Sequence, residues 1–195
     1  PMDSKDYLHS LFGLKGRKAI VTGASSGLGA AMARALISAG ADVLIVARRQ
    51  ERLAALADDL RNCEGTAHPH SADLSDSDAI SALSDQALDR LGGCDILVAN
   101  AGIADRVRLE DMAEESFSAI VDLNLKAQWL LAKALFPLLR QSTAGRIINI
   151  ASVYGLGAPV INGLGAYAVS KHGLVGLTRS QAVEWARHGI TANAI

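Results

Sequence analysis

Short apolar runs and longer helical patterns take turns along the whole chain. Residues 19–21 form a continuous apolar run, and 29–39 are Ala-rich with helical spacing and a stop at Gly40. Residues 43–47 predict the next strand and 50–61 the next helix. A weaker third strand covers 67–71 and contains Pro69, which cannot donate to a ladder and so predicts a sheet edge. Ser75 and Asp76 cap a helix running towards Leu91, and 96–99 is a fourth strand. A long helix follows over 116–140, ended or kinked by Pro137. Residues 147–150 predict a fifth strand, 166–187 a helix, and Ile190 opens a sixth strand. Strands that are apolar throughout and separated by helices imply a parallel sheet covered on both faces. The class is therefore α/β, a doubly wound parallel sheet of order 3-2-1-4-5-6 with the Pro69 strand at an edge. No repeat, linker or low-complexity segment interrupts it, so 1–195 reads as one domain.

Composition narrows the function. Half of the 195 residues are hydrophobic and 20% are charged, the balance of a globular protein with a real core. A net charge of −1 provides no long-range field for nucleic acid or an anionic membrane, and neither is expected as a partner. Cys63 and Cys94 are too few for a disulfide framework and lack metal-ligand spacing, which predicts inert thiols, no metal and a cytoplasmic location. No apolar stretch approaches the roughly 20 residues of a membrane span, and no signal peptide is evident. Pro1 before Met2 reads as a tag-removal scar, with Met2 the natural start. The last residues, 189–195, stop inside the sixth strand, which predicts a C-terminally incomplete domain.

The first strand runs into Thr22-Gly23-Ala24-Ser25-Ser26-Gly27-Leu28-Gly29 and then into a helix. Gly23 can take a backbone conformation closed to other residues, Gly27 lets the chain approach a pyrophosphate, and Gly29 lets the helix pack closely on the strand. The helix N-terminus then presents free N–H groups and partial positive charge to phosphates, with Ser25 and Ser26 adding hydroxyls. After the second strand, at Ala47-Arg48-Arg49, no acidic residue is present to bond a ribose 2′-hydroxyl. Arg48 instead offers a guanidinium to a 2′-phosphate, and Arg49 stands beside it. NADP(H) is expected over NAD(H), which stays possible.

Tyr167 and Lys171 lie four apart on a predicted helix and share a face. A free tyrosine has a pKa of about 10, and a nearby ammonium favours its phenolate. Tyr167 can then give a proton to a carbonyl being reduced, or take one from an alcohol being oxidised. Lys171 can also hold a nicotinamide ribose. Ser152, just past the fifth strand, can bond the substrate oxygen. Asn124, within the long helix, can hold a water linking Lys171 to solvent.

Taken together, these pieces resemble the short-chain dehydrogenase/reductase family in its compact single-domain branch. The resemblance is carried by the glycine turn, Asp73-Leu74, Asn100-Ala101-Gly102, Asn124, Ser152 and Tyr167-Ala168-Val169-Ser170-Lys171. It implies a Rossmann fold in which Asp73 and Leu74 contact the adenine and Asn100-Ala101-Gly102 supports the fourth strand and lines the cofactor site. It makes Tyr167 the acid/base and completes a tetrad with Asn124, Ser152 and Lys171. It also implies a homotetramer or homodimer, with the helices over 116–140 and 166–187 packing against subunit mates. In two respects the chain departs from the family. The spacing from Ser152 to Tyr167 is longer than usual, through a loop over 155–165. The family's later strand and substrate lid are missing from this chain.

For the substrate, the lead-in over 11–16, Asn100 to Ile103 with Arg106, and residues 183–186 are similar to sugar-acid enzymes such as gluconate 5-dehydrogenase. Arg106 or Arg108 can meet a carboxylate, and Tyr154 is a candidate in the substrate loop. A small carbonyl or secondary alcohol, of the sugar-acid or polyol class, is therefore the expected substrate. Reduction of a 3-oxoacyl-carrier-protein is an alternative, and a dinucleotide-binding module without turnover is the alternative of another class. His68 and His70 flank Pro69 without enough neighbours for a metal site, and His172, Trp129 and Trp185 read as packing, surface or subunit-contact residues.

Overall fold

The computed structural model describes Asp3, Tyr7 and residues 11–195; Pro1 and Met2, the expected scar and start, lie outside the described residues. Six strands are described, β1 (Lys18–Thr22), β2 (Asp42–Ala47), β3 (Ala67–Ser71), β4 (Ile96–Ala99), β5 (Arg146–Asn149) and β6 (Thr191–Ala194). They form one sheet of order β3-β2-β1-β4-β5-β6, with every neighbouring pair parallel. The expected topology stands, with β3 at an edge and Pro69 opposite Ile45 of β2.

The inner strands β1, β2 and β4 bury both faces, so their successive side chains enter different cores. Ile20, Leu44, Val46 and Leu97 point into one cluster, with Leu83 from α3 (Ser77–Leu91) and Leu131 and Leu135 from α5 (Ala127–Leu139). Val21, Val43, Ile45 and Val98 point into the other, with Ala33 and Ile37 of α1 (Gly27–Ser38) and Leu53 of α2 (Gln50–Asp59). Burying one such aliphatic side chain stabilises the fold by about 1.5–3 kcal/mol, which makes this two-sided packing the main support of the sheet.

The helix expected over 116–140 is not uniform. It consists of α4 (Glu114–Val121), a wide π turn (Asp122–Lys126) and α5, and Asn124 is buried in the π turn. Such turns often mark functional sites, because the extra residue turns a side chain away from the regular helical path. Pro137 lies inside α5, close to its end at Leu139. The last long helix, α6 (Gly165–Trp185), carries Tyr167 and Lys171 and runs on into a 3-10 turn (Ala186–His188).

Candidate active site

The glycine turn is locked to β4 by Thr22. Its Oγ1 accepts from the backbone N–H groups of Asn100 (3.0 Å) and Ala101 (3.1 Å), and Asn100 Nδ2 donates to Thr22 O at 2.9 Å. Gly29 is where space is tightest: a Cβ there would lie 2.3 Å from Gly23 O and 2.6 Å from Asn100 Nδ2. Gly27 has φ +56° and nothing within 4 Å of its missing Cβ, so its open side is available to a ligand. Ser26 precedes α1 but makes no side-chain cap; its hydroxyl accepts from Arg49 at 2.9 Å. Arg49 also donates to Ser25 Oγ at 2.8 Å. The first amides of α1 therefore keep their donors for an anion.

A cavity of about 630 Å³ opens from this turn, a size suited to a bound organic ligand. Gly23, Ser25, Arg48, Asp73, Ala101 and Asp122 are among its lining residues. Ser26, Arg49, Leu74 and Gly102 also face it, whereas Leu28 is exposed on α1 and Asn100 stands behind Gly23. Asp73 accepts from Ser75 N (3.0 Å) and Ser75 Oγ (2.7 Å). These bonds, helped by the nearby Arg48 charge, lower its pKa. A glycine turn open to phosphate, uncapped helix amides and two arginines on one wall fit a dinucleotide.

A second cluster adjoins the cavity. Asn124 Oδ1 accepts from Ile103 N and its Nδ2 donates to Ile103 O, both at 2.8 Å. The same Nδ2 donates to Ser170 Oγ at 3.1 Å, and Ser170 Oγ donates to Tyr167 O at 2.7 Å. One hydrogen-bonded line thus runs from the cavity wall to the helix that carries Tyr167. Lys171 Nζ lies 5.5 Å from the Tyr167 ring centroid and donates to Ile150 O at 2.6 Å. Burial lowers the Lys171 pKa to about 8. Ser152 caps a 3-10 turn (Val153–Gly155) by accepting from Tyr154 N at 3.2 Å. That turn packs on α6: a Cβ on Gly155 would meet Lys171 O at 2.8 Å.

Several residues play parts that the sequence reading did not assign. Asn124, expected to hold a water near Lys171, also bonds Ile103 at both its backbone N and O and reaches Ser170 Oγ. Ser170 is the link itself, and a polar residue between Tyr167 and Lys171 was the available signal. Gln128, a buried amide in the apolar stripe of α5, was another signal. Arg106 is exposed, and its backbone borders Gly163 of the 155–165 loop. Arg108 stands 3.9 Å from Glu110.

The residues not assigned to chemistry occupy ordinary places. His68 and His70 are half-buried on the edge strand, with Arg90 donating to Pro69 O at 2.9 Å. His172 Nδ1 lies 2.9 Å from Ala168 O. Trp129 is exposed beside Lys133, while Trp185 packs on Phe136 at 4.8 Å. Burial pushes the Cys94 thiol up to about 12. Among the described residues, no group of three or more His, Cys, Asp or Glu is placed to hold a metal. Nor is any described helix long and apolar enough to cross a membrane.

Residues 17–195 match the model of the short chain dehydrogenase family. The chain belongs to that family. It is an NAD(P)-dependent oxidoreductase acting on CH–OH groups and their carbonyl counterparts. It is 39% identical over 183 residues to a D-beta-hydroxybutyrate dehydrogenase of Cupriavidus necator, covering 93% of this chain and 70% of that protein. Over 183 residues it is also 39% identical to a 3-oxoacyl-[acyl-carrier-protein] reductase of Rickettsia bellii, covering 93% and 72%. A putative NAD(P) dependent gluconate 5-dehydrogenase from Beutenbergia cavernae, solved with bound NADP at low occupancy, superimposes with a TM-score of 0.86 at 36% identity. That match covers 94% of this chain and 72% of the other.

Proposed function

We propose that this short chain dehydrogenase moves hydride between NADP(H) and a ketone or secondary alcohol of a sugar acid or polyol. The observation that carries the reading is the line Ile103–Asn124–Ser170–Tyr167, which ties the cofactor wall to the acid/base helix. When bound, the nicotinamide supplies or accepts the hydride. Tyr167 gives its hydroxyl proton to the substrate oxygen in reduction and takes it back in oxidation. Lys171 adds positive charge beside the phenol, and Ser152 bonds the substrate oxygen. Asn124 holds the 101–103 segment and, through Ser170, the first turns of α6. Gly23, Gly27 and the free amides of α1 hold the pyrophosphate, with Ser25, Ser26, Leu28 and Gly29 shaping the turn. Asp73 and Leu74 take the adenine, and Asn100, Ala101 and Gly102 complete the wall. Arg48 and Arg49 favour a 2′-phosphate over a bare 2′-hydroxyl, so NADP(H) is preferred to NAD(H).

Arg106 and Tyr154 border the substrate side, and Arg106 suits a carboxylate. The Beutenbergia protein's description as a gluconate enzyme supports the acid class. Reduction of 3-oxoacyl-carrier-protein is the second reading, favoured by the Rickettsia relative and by the exposed apolar residues Val153, Leu156 and Val160, which suit an acyl chain. We also infer one cofactor-binding and catalytic unit, a cytoplasmic setting for its free thiols, and a homotetramer or homodimer. Exposed Trp129, Val169 and Val183 on α5 and α6 support association.

The test compares the unaltered protein with Tyr167→Phe, using NADPH and a panel of sugar acids, oxoacyl thioesters and simple ketones. Turnover should fall roughly 1,000-fold with NADPH KM within threefold. Equal turnover by the variant would overturn the mechanism. NADPH binding by the unaltered protein without turnover on any panel member would overturn the proposed substrate classes.

A further inference from the structure

Gln128 sits on α5 beside Ala127, Leu131 and Ala132, with 1% of its surface exposed. Its Nε2 donates to Ala101 O and to Leu123 O, both at 2.8 Å. Its Oε1 is buried and has no partner in the structure. The amide's orientation follows from its neighbours, because the reverse placement would set an oxygen against two carbonyl oxygens. Both carbonyls belong to residues that line the cofactor cavity, one on the 101–103 segment and one on the π turn. Asn124, four residues before Gln128, grips Ile103 at the other end of that segment. Two amides on one helical face therefore fasten the segment to the π turn at both ends. An aliphatic side chain would fill the same space without leaving a buried oxygen unpaired, so packing alone does not account for a glutamine here.

We propose that Gln128 is a positioning residue that holds the wall of the cofactor cavity and, with it, the turn that presents Asn124. The proposal rests on the NADP(H) reading above. Gln128→Met keeps the volume and removes both donors. If the binding-ready wall is then populated about a tenth of the time, apparent NADPH affinity falls about tenfold.

NADPH titration of the full chain by fluorescence, run beside thermal melts, tests this. Q128M should bind NADPH about tenfold more weakly, with a Tm within a few degrees of the unaltered protein. Gln181→Met removes another buried amide, bonded to Asn149 between β5 and α6, and should leave NADPH affinity unchanged. Should Q128M fail to fold, Q128L takes its place, because it also removes both donors while staying apolar, and it should weaken NADPH binding about tenfold. Equal affinity in Q128M or Q128L, or an equal loss in Q181M, would overturn the proposal. Failure of the unaltered protein to bind NADPH would overturn the cofactor reading and this inference with it.

Discussion

Lys171 offers a direct test of how burial shapes the site. Its side chain is 4% exposed, and burial lowers its pKa from the ordinary 10.5 to about 8. In the unfolded chain the lysine returns to about 10.5. Below pH 8 both states carry the proton, and the folded state bears the full cost of burying the charge. Between about pH 8 and 10.5 the folded state has released a proton that the unfolded state still holds. Stability therefore rises with pH across this window, by at most about 1.4 kcal/mol per pH unit and by roughly 2–3 kcal/mol in total. The Nζ bond to Ile150 O at 2.6 Å offsets part of the cost without changing the sign. Lys171→Met removes this titration. Urea denaturation of both proteins from pH 7 to 10.5 supplies the comparison, because titrating groups remote from Lys171 cancel in the difference. Stability of the unaltered protein minus that of the variant should climb by roughly 2–3 kcal/mol across the window. A flat or falling difference would refute the account of Lys171 as a charge held in a desolvated place.

Two further substitutions probe the cofactor side. Gly29→Ala gains roughly 1 kcal/mol of helix propensity, but its methyl would meet Gly23 O at 2.3 Å, so crowding dominates. A net loss of about 3 kcal/mol should lower Tm by about 10 °C in calorimetry, and an unchanged Tm would show that the turn has room to give. Arg49→Ala removes an exposed side chain from Ser25 and Ser26, so stability should stay within about 0.5 kcal/mol. NADPH KM should rise roughly tenfold while NADH KM changes little, and equal shifts for both cofactors would remove the 2′-phosphate role.

The sheet was legible because its inner strands are compact apolar runs bounded by helix signals, and because proline at position 69 fits only an edge. The glycine turn was legible because its glycines answer to local geometry: a positive φ at Gly23, open space at Gly27 and a crowded contact at Gly29. The π turn was not legible. The periodicity of residues 116–140 is that of a helix on both sides, and the extra residue is held by long-range bonds from Asn124 to Ile103 and Ser170. Arg49 bonding to both serines was hidden for a similar reason, since those partners lie more than twenty positions away. Half-burial of His68 and His70 depends on packing by neighbouring elements such as Arg90, which no pattern within β3 reveals.

Strand order also has a consequence for how the chain is made. β1 can pair with β2 once residue 47 has emerged, but its other neighbour begins only at Ile96. At synthesis rates of about 5–20 residues per second, one side of the central strand stays open for roughly 2–10 seconds on the ribosome. That side exposes the unpaired amides of an apolar strand, the template on which another nascent chain can add. The half-made protein is thus open to misassembly at the strand that ends in its glycine turn.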